Sequence, residues 1–140
     1  MSVKALREGR FAWLGRQALK LAGVPLGDLL GRPLTGPVFG SMMITYRCNN
    51  ACAMCDYPQR AARGAAAGRR ELDTDAFKRV LDDFAAIGTT GIAIVGGEPT
   101  LHPDLDELLR TVKRLGMVAN ITTNGNLLAD EQRAAALLET

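Results

Sequence analysis

From Met42 onward, short apolar runs alternate with helical patterns, and this alternation restricts the fold more than any other feature of the sequence. The runs are Met42-Met43-Ile44-Thr45, residues 90–95 (TGIAIV) and residues 117–122 (MVANIT). The second is a continuous apolar run, which predicts a strand buried on both faces of a parallel sheet. Before it, Asp73 or Thr74 is placed to cap a helix by accepting an orphan backbone N–H. Phe77, Val80, Leu81, Phe84 and Ile87 then form one apolar stripe, and Gly88 is a suitable stop. After the second run, Pro103 suits the first turn of a helix whose stripe is Leu105, Leu108, Leu109, Val112 and Leu115, ended by Gly116. A third helix starts near Ala129 or Asp130. Strand, loop and helix three times over predict an α/β fold with parallel strands, because such crossovers are right-handed.

Residues 3–22 set Leu6, Trp13, Leu14, Ala18 and Leu21 among Lys4, Arg7, Arg10, Arg16 and Lys20. This loosely amphipathic pattern predicts a helix packed on the domain, with contact at a membrane surface as the alternative. Residues 23–40 hold five glycines and three prolines and read as a linker. The expected organisation is residues 1–40 as helix and linker, then residues 41–140 as the βα core. Within the core, residues 58–70 (PQRAARGAAAGRR) read as a flexible insertion or a frayed helix start. The third helix shows no stop signal before Thr140, and three strands would leave the third as an open edge. The sequence is therefore expected to be a core truncated after its third βα unit, a piece of a longer enzyme or one completed by a partner.

The net charge of +2 is too small to argue for nucleic acid. Residues 1–40 and 41–70 each carry +4 and residues 71–140 carry −6, so a basic N-terminal arm is available to an anionic surface, although charged faces are ordinarily just solvated. No apolar run reaches the roughly 20 residues of a membrane span or the about 7–15 of a secretory signal, and a cytoplasmic location is expected.

Sites in parallel βα sheets collect in the loops after the strand ends. Those loops hold the three unusual segments of this sequence: a cysteine cluster, Gly96-Gly97-Glu98-Pro99, and Thr122-Thr123-Asn124-Gly125. The cysteines, Cys48, Cys52 and Cys55, fall within eight positions. Disulfide frameworks spread an even number along the chain, so a tight trio reads as metal or cluster ligands. Three thiolates on one short loop suit three corners of an iron–sulfur cube and leave one iron open to a small molecule. Structural zinc wants four closed protein ligands. His102, the only histidine, would have to be the fourth, and in His102-Pro103-Asp104 it is better placed to organise the start of the second helix. A small zinc-binding interaction module is kept as the alternative.

The CxxxCxxC loop after a first strand resembles the signature of the radical S-adenosylmethionine (SAM) superfamily. GGEP after the second resembles that family's GGE motif. TTNG after the third is similar to the turn of the branch containing molybdenum-cofactor, PQQ and peptide-modifying enzymes. The resemblance covers residues 42–128 and implies the N-terminal portion of a partial (β/α)6, TIM-like barrel. It implies that Cys48, Cys52 and Cys55 ligate three irons of a [4Fe–4S] cluster, with SAM chelating the fourth. Gly96, Gly97 and Glu98 would meet the methionyl amino group, the glycines by letting backbone come close and the acceptors by binding an ammonium. By themselves they read equally as a tight turn and a surface charge. Thr122, Thr123 and Asn124 would face SAM or substrate, or simply form a turn with Gly125 at positive φ. Met54 stands where the family usually has an aromatic residue; its backbone and thioether would meet the adenine, with Tyr57 as a substitute ring.

The implied reaction is reductive cleavage of SAM to methionine and a 5′-deoxyadenosyl radical, which abstracts hydrogen from a substrate. Electrons would come from a donor such as flavodoxin or ferredoxin. The substrate, a small molecule or a peptide, is not named by the sequence. Further SAM contacts of the family, after its fourth and fifth strands, have no counterpart in these residues. A cluster-binding but catalytically incomplete chain is the second reading.

Overall fold

The computed structural model describes residues 3–56 and 71–139, with backbone alone for 3–13, 16 and 17. Tyr57 and residues 58–70, with the expectations placed on them, lie outside the described residues. Three parallel strands, β1 (Phe39–Met43), β2 (Gly91–Val95) and β3 (Val118–Ile121), lie side by side in that order. Among the described residues the helices are α1 (Val3–Leu30), α2 (Thr74–Ala86), α3 (Leu105–Arg114) and α4 (Glu131–Glu139), with 3-10 turns at Pro99–Leu101 and Asn126–Ala129. The three βα units expected from the sequence are present. β1 starts earlier than the apolar run that revealed it, and Ile44 extends its ladder by donating to the Val95 carbonyl at 3.0 Å.

Helix α2 begins where a side chain stops the backbone from fraying: the Asp73 carboxylate accepts the Ala76 N–H at 2.7 Å. The expected stripes face the sheet. Phe77 and Leu81 of α2 and Leu105, Leu108, Leu109 and Val112 of α3 are buried with Met42, Ile44, Ile92 and Ile94 in one core. Each fully buried Leu or Ile stabilises the fold by about 1.5–3 kcal/mol relative to exposure. Ile87 departs from its stripe because it is the C-cap of α2 and half its surface is open. Pro103 does not lie in the first turn of α3. It precedes Asp104, whose carboxylate accepts a hydrogen bond from Thr74 and so joins the starts of α3 and α2.

β2 is less enclosed than its apolar run implied. Register aligns Met42 with Ile94 and Ile94 with Ile121, and this face carries the core. Ala93 and Val95, on the other face, are only half-buried, with Ser41 and Asn120 exposed beside them. One face is packed and the other open among the described residues.

The N-terminal helix departs most from expectation. It runs on through Pro25 to Leu30, into the segment read as linker. Leu14, Leu19, Leu21, Leu26, Leu29 and Leu30 are exposed, while Lys20 is buried. Its ammonium donates to the carbonyls of Gly36 (3.3 Å) and Pro37 (3.0 Å), just ahead of β1. The expected polarity is thus inverted where side chains are described. Gly23 and Gly27 let the following chain fold back on the helix, since a β-carbon there would lie 2.6 Å from Thr35 Cγ2 and 2.9 Å from the Arg32 carbonyl. Among the described residues no helix is long and apolar enough to cross a membrane.

Candidate functional site

Pairing between the first two strands continues past their ends. The Gly97 N–H donates to the Thr45 carbonyl at 2.8 Å and the Glu98 N–H to the Arg47 carbonyl at 2.7 Å. The two chains come so close that a β-carbon on Gly96 would lie 2.7 Å from the Thr45 carbonyl oxygen, and one on Gly97 2.4 Å from that of Arg47. The glycines thus admit the backbone that leads into Cys48, whereas the sequence suggested the approach of a ligand or a plain tight turn. On the other side of this segment, Glu71 accepts the Thr45 hydroxyl (2.6 Å) and the Tyr46 N–H (2.8 Å). Burial pushes the Glu71 carboxyl up, but these bonds and the charge of Arg47 outweigh it and hold the pKa below the ordinary value.

Glu98 is the buried acid of the site, with 1% of its surface exposed. Its Oε1 accepts the Thr100 N–H (3.0 Å), the Thr100 hydroxyl and the Thr123 hydroxyl (2.6 Å), and Oε2 accepts the Asn124 N–H (2.7 Å). Burial raises its pKa, yet the bonds from Asn124, Thr100 and Thr123 prevail and keep it below the usual carboxylate range. This carboxylate ties the loop after β2 to the turn after β3. In that turn Gly125 has φ +78°, the left-handed conformation expected of it.

The cysteine loop completes the arrangement. Cys48, Cys52 and Cys55 are free thiols, Cys52 exposed and the other two half-buried. All three line one cavity of about 200 Å³ with Gly96, Gly97 and Glu98 from the second loop and Thr122, Thr123 and Asn124 from the third. Segments separated by tens of residues therefore meet at the carboxyl ends of the strands. Met54 is not brought there. The Cys55 N–H closes a turn on the Cys52 carbonyl at 3.1 Å, and Met54, within that turn, is 94% exposed. His102 also stays outside the cavity lining, buried edge-on to Phe77 with its Nδ1 accepting the Asp104 N–H at 3.2 Å. Burial lowers its pKa, in keeping with an unprotonated accepting nitrogen.

Sequence reasoning assigned no role to Asn49, Asn50, Thr100 or Asn126. Asn124 Nδ2 donates to Asn49 Oδ1, and Asn126 Nδ2 to Asn50 Oδ1, each at 2.8 Å. An Asn-Asn doublet inside the cysteine loop was the available signal. Among the described residues no three His, Cys, Asp or Glu side chains converge tightly enough to hold a single metal ion.

Fold and site together define a parallel βα protein with a thiol-lined cavity at the carboxyl edge of its sheet. The chain belongs to the radical SAM superfamily, whose family model matches residues 42–140. Membership implies a [4Fe–4S] cluster and SAM as cofactors. The chain is 39% identical over 113 residues to the PqqA peptide cyclase of Rhodopseudomonas palustris, covering 81% of this chain and 26% of that protein. It is 42% identical over 99 residues to the PqqA peptide cyclase of Ruegeria pomeroyi, covering 71% and 25%. It thus spans about a quarter of the length of these curated relatives. Among solved structures it resembles Streptococcus suis SuiB bound to its precursor peptide SuiA, with TM-score 0.59 and 25% identity over 76% of this chain and 22% of that one. The fold is also similar to that of SuiB bound to S-adenosylmethionine, with TM-score 0.56 and 24% identity over 75% of this chain and 22% of that one.

Proposed function

We propose that this chain is the cofactor-binding part of a radical SAM enzyme of the partial (β/α)6 barrel type that acts on a peptide. The observation that carries the reading is one cavity lined by three thiols and by both the GGE and TTN loops. The donor set fits a cluster better than an ion. A single zinc needs donors about 2.0–2.3 Å from one point, and no such group of three exists among the described residues. A cube offers a separate iron to each thiolate, so the three sulfurs need not converge on one point.

When bound, the cluster and SAM supply reductive cleavage of a sulfur–carbon bond and a 5′-deoxyadenosyl radical that takes hydrogen from the substrate. The chain's own part is to hold and orient. Cys48, Cys52 and Cys55 hold the cluster. Gly96 and Gly97 present peptide carbonyls where a methionyl ammonium needs acceptors. Oε1 of Glu98 is filled by three protein donors. Oε2, which accepts Asn124, retains a lone pair for that ammonium. Thr122, Thr123 and Asn124 line the wall facing SAM or substrate. The names of the relatives, a peptide cyclase and an enzyme bound to a precursor peptide, support a peptide substrate. A flavodoxin or ferredoxin type of donor would supply the electron.

Anaerobic assembly with iron and sulfide tests this directly. The expected result is about four irons and four sulfides per chain, followed by 5′-deoxyadenosine when dithionite and SAM are added. Zinc alone, or no metal, would overturn the proposal. A cluster without 5′-deoxyadenosine would reduce it to cluster binding.

A further inference from the structure

We propose that Asn49, Asn50, Asn124 and Asn126 form a two-rung latch that pins the cysteine loop to the turn after β3, and that this latch sets how firmly the three thiols retain a cluster. Its second clause rests on the function proposed above; the latch itself does not.

The rungs are the Asn124–Asn49 and Asn126–Asn50 side-chain bonds. The direction of the first is fixed by its surroundings. Asn124 Oδ1 already accepts the Asn126 N–H at 3.0 Å, so Nδ2 is the end that faces Asn49, and Asn49 must be the acceptor. Asn124 is itself anchored, because its N–H donates to the buried carboxylate of Glu98. A continuous path therefore runs from a fixed acid, through one backbone position, into the cysteine loop.

That loop has reason to need it. Residues 48–56 form no helix or strand, and the bonds within the loop are local: Cys55 N–H to the Cys52 carbonyl, and Asn50 N–H to the Cys48 sulfur at 3.5 Å. Asn50 thus serves both as a rung and as a donor to a ligand sulfur. Hydrogen bonds to such sulfurs tune a cluster, and partners that orient ligands govern how tightly metal is held. The rungs are exposed and contribute little to overall stability, so their removal is separable from unfolding.

The directionality gives a sharp test. Asn49→Asp keeps an acceptor for Asn124 and should behave as wild type. Asn124→Asp preserves the acceptor for the Asn126 N–H but sets oxygen against oxygen across the first rung. The double variant Asn49→Ala/Asn50→Ala removes both. After anaerobic loading, chelator-driven iron release should be about tenfold faster in the last two and near wild type in the first, with thermal midpoints of the iron-free chains unchanged. Hydrogen–deuterium exchange over residues 48–55 of the iron-free chains should rise in the same two and not in Asn49→Asp. Equal exchange in all four proteins would overturn the latch. Altered exchange with equal iron release would overturn its link to the cluster. Altered exchange with no iron bound by wild type would sustain the latch and sink the proposed function instead.

Discussion

Replacing Gly97 by alanine is expected to lower stability by about 1–3 kcal/mol, the cost of forcing one extra carbon into a filled space, and to block cluster assembly. The added carbon would lie 2.4 Å from the Arg47 carbonyl oxygen and 2.8 Å from both the Arg47 carbonyl carbon and the Tyr46 oxygen. All three are backbone atoms, so no side chain can turn aside. The chain must part where the Glu98 N–H meets Arg47, directly before Cys48. The displacement therefore falls on the cysteine loop and not on the core. Gly15→Ala is the matched control, since a β-carbon there meets nothing within 4 Å and alanine favours a helix by about 0.8–1 kcal/mol. Urea midpoints and iron content of the two variants check the contrast. A Gly97→Ala chain as stable as wild type, with full iron content, would show that the strand ends are not locked together.

The second large effect is expected at Glu98. In Glu98→Gln the amide retains one accepting oxygen but turns an N–H₂ toward donors. With oxygen at the crowded Oε1 position, the Asn124 N–H faces a donor. A hydrogen bond to a charged group is worth about 1.5–3 kcal/mol, and a loss of that size is expected at pH 7. The wild-type carboxylate has a folded pKa below its unfolded value. Its stabilisation is therefore fully present above the ordinary carboxylate pKa of about 4.3 and is lost as pH falls through the folded value. Glu71 is shifted in the same direction and its stabilisation is likewise lost on acidification, so Glu98→Gln should make the acid loss shallower without abolishing it. Denaturation midpoints from pH 3 to 7 check this. Parallel curves for both proteins would mean that Glu98 contributes no pH-dependent stability.

The βα order was legible in the sequence because helix and strand periods report which way a residue's own side chain faces. Phe77, Leu81, Leu105, Leu108 and Val112 announced their burial in that way. The meeting of the three loops was legible for a related reason: parallel strands carry all their carboxyl ends to one edge. What Gly96 and Gly97 make room for was not legible. A glycine marks close approach without saying to what, and the neighbours here come from residues 45–47. The Asn rungs were hidden because pairing between loops leaves no period. The inside-out character of α1 was hidden because Lys20 finds acceptors in a segment folded back by Gly23 and Gly27, and spacing alone assigns a lysine to water.

That single seated lysine makes α1 readable by chemistry. An amine-acylating reagent should modify Lys20 more slowly than the exposed Lys113, and peptide mass spectrometry resolves the two. Any event that lifts the helix would erase the lag, so the acylation ratio is a gauge of docking at the amino edge of the sheet, remote from the thiols.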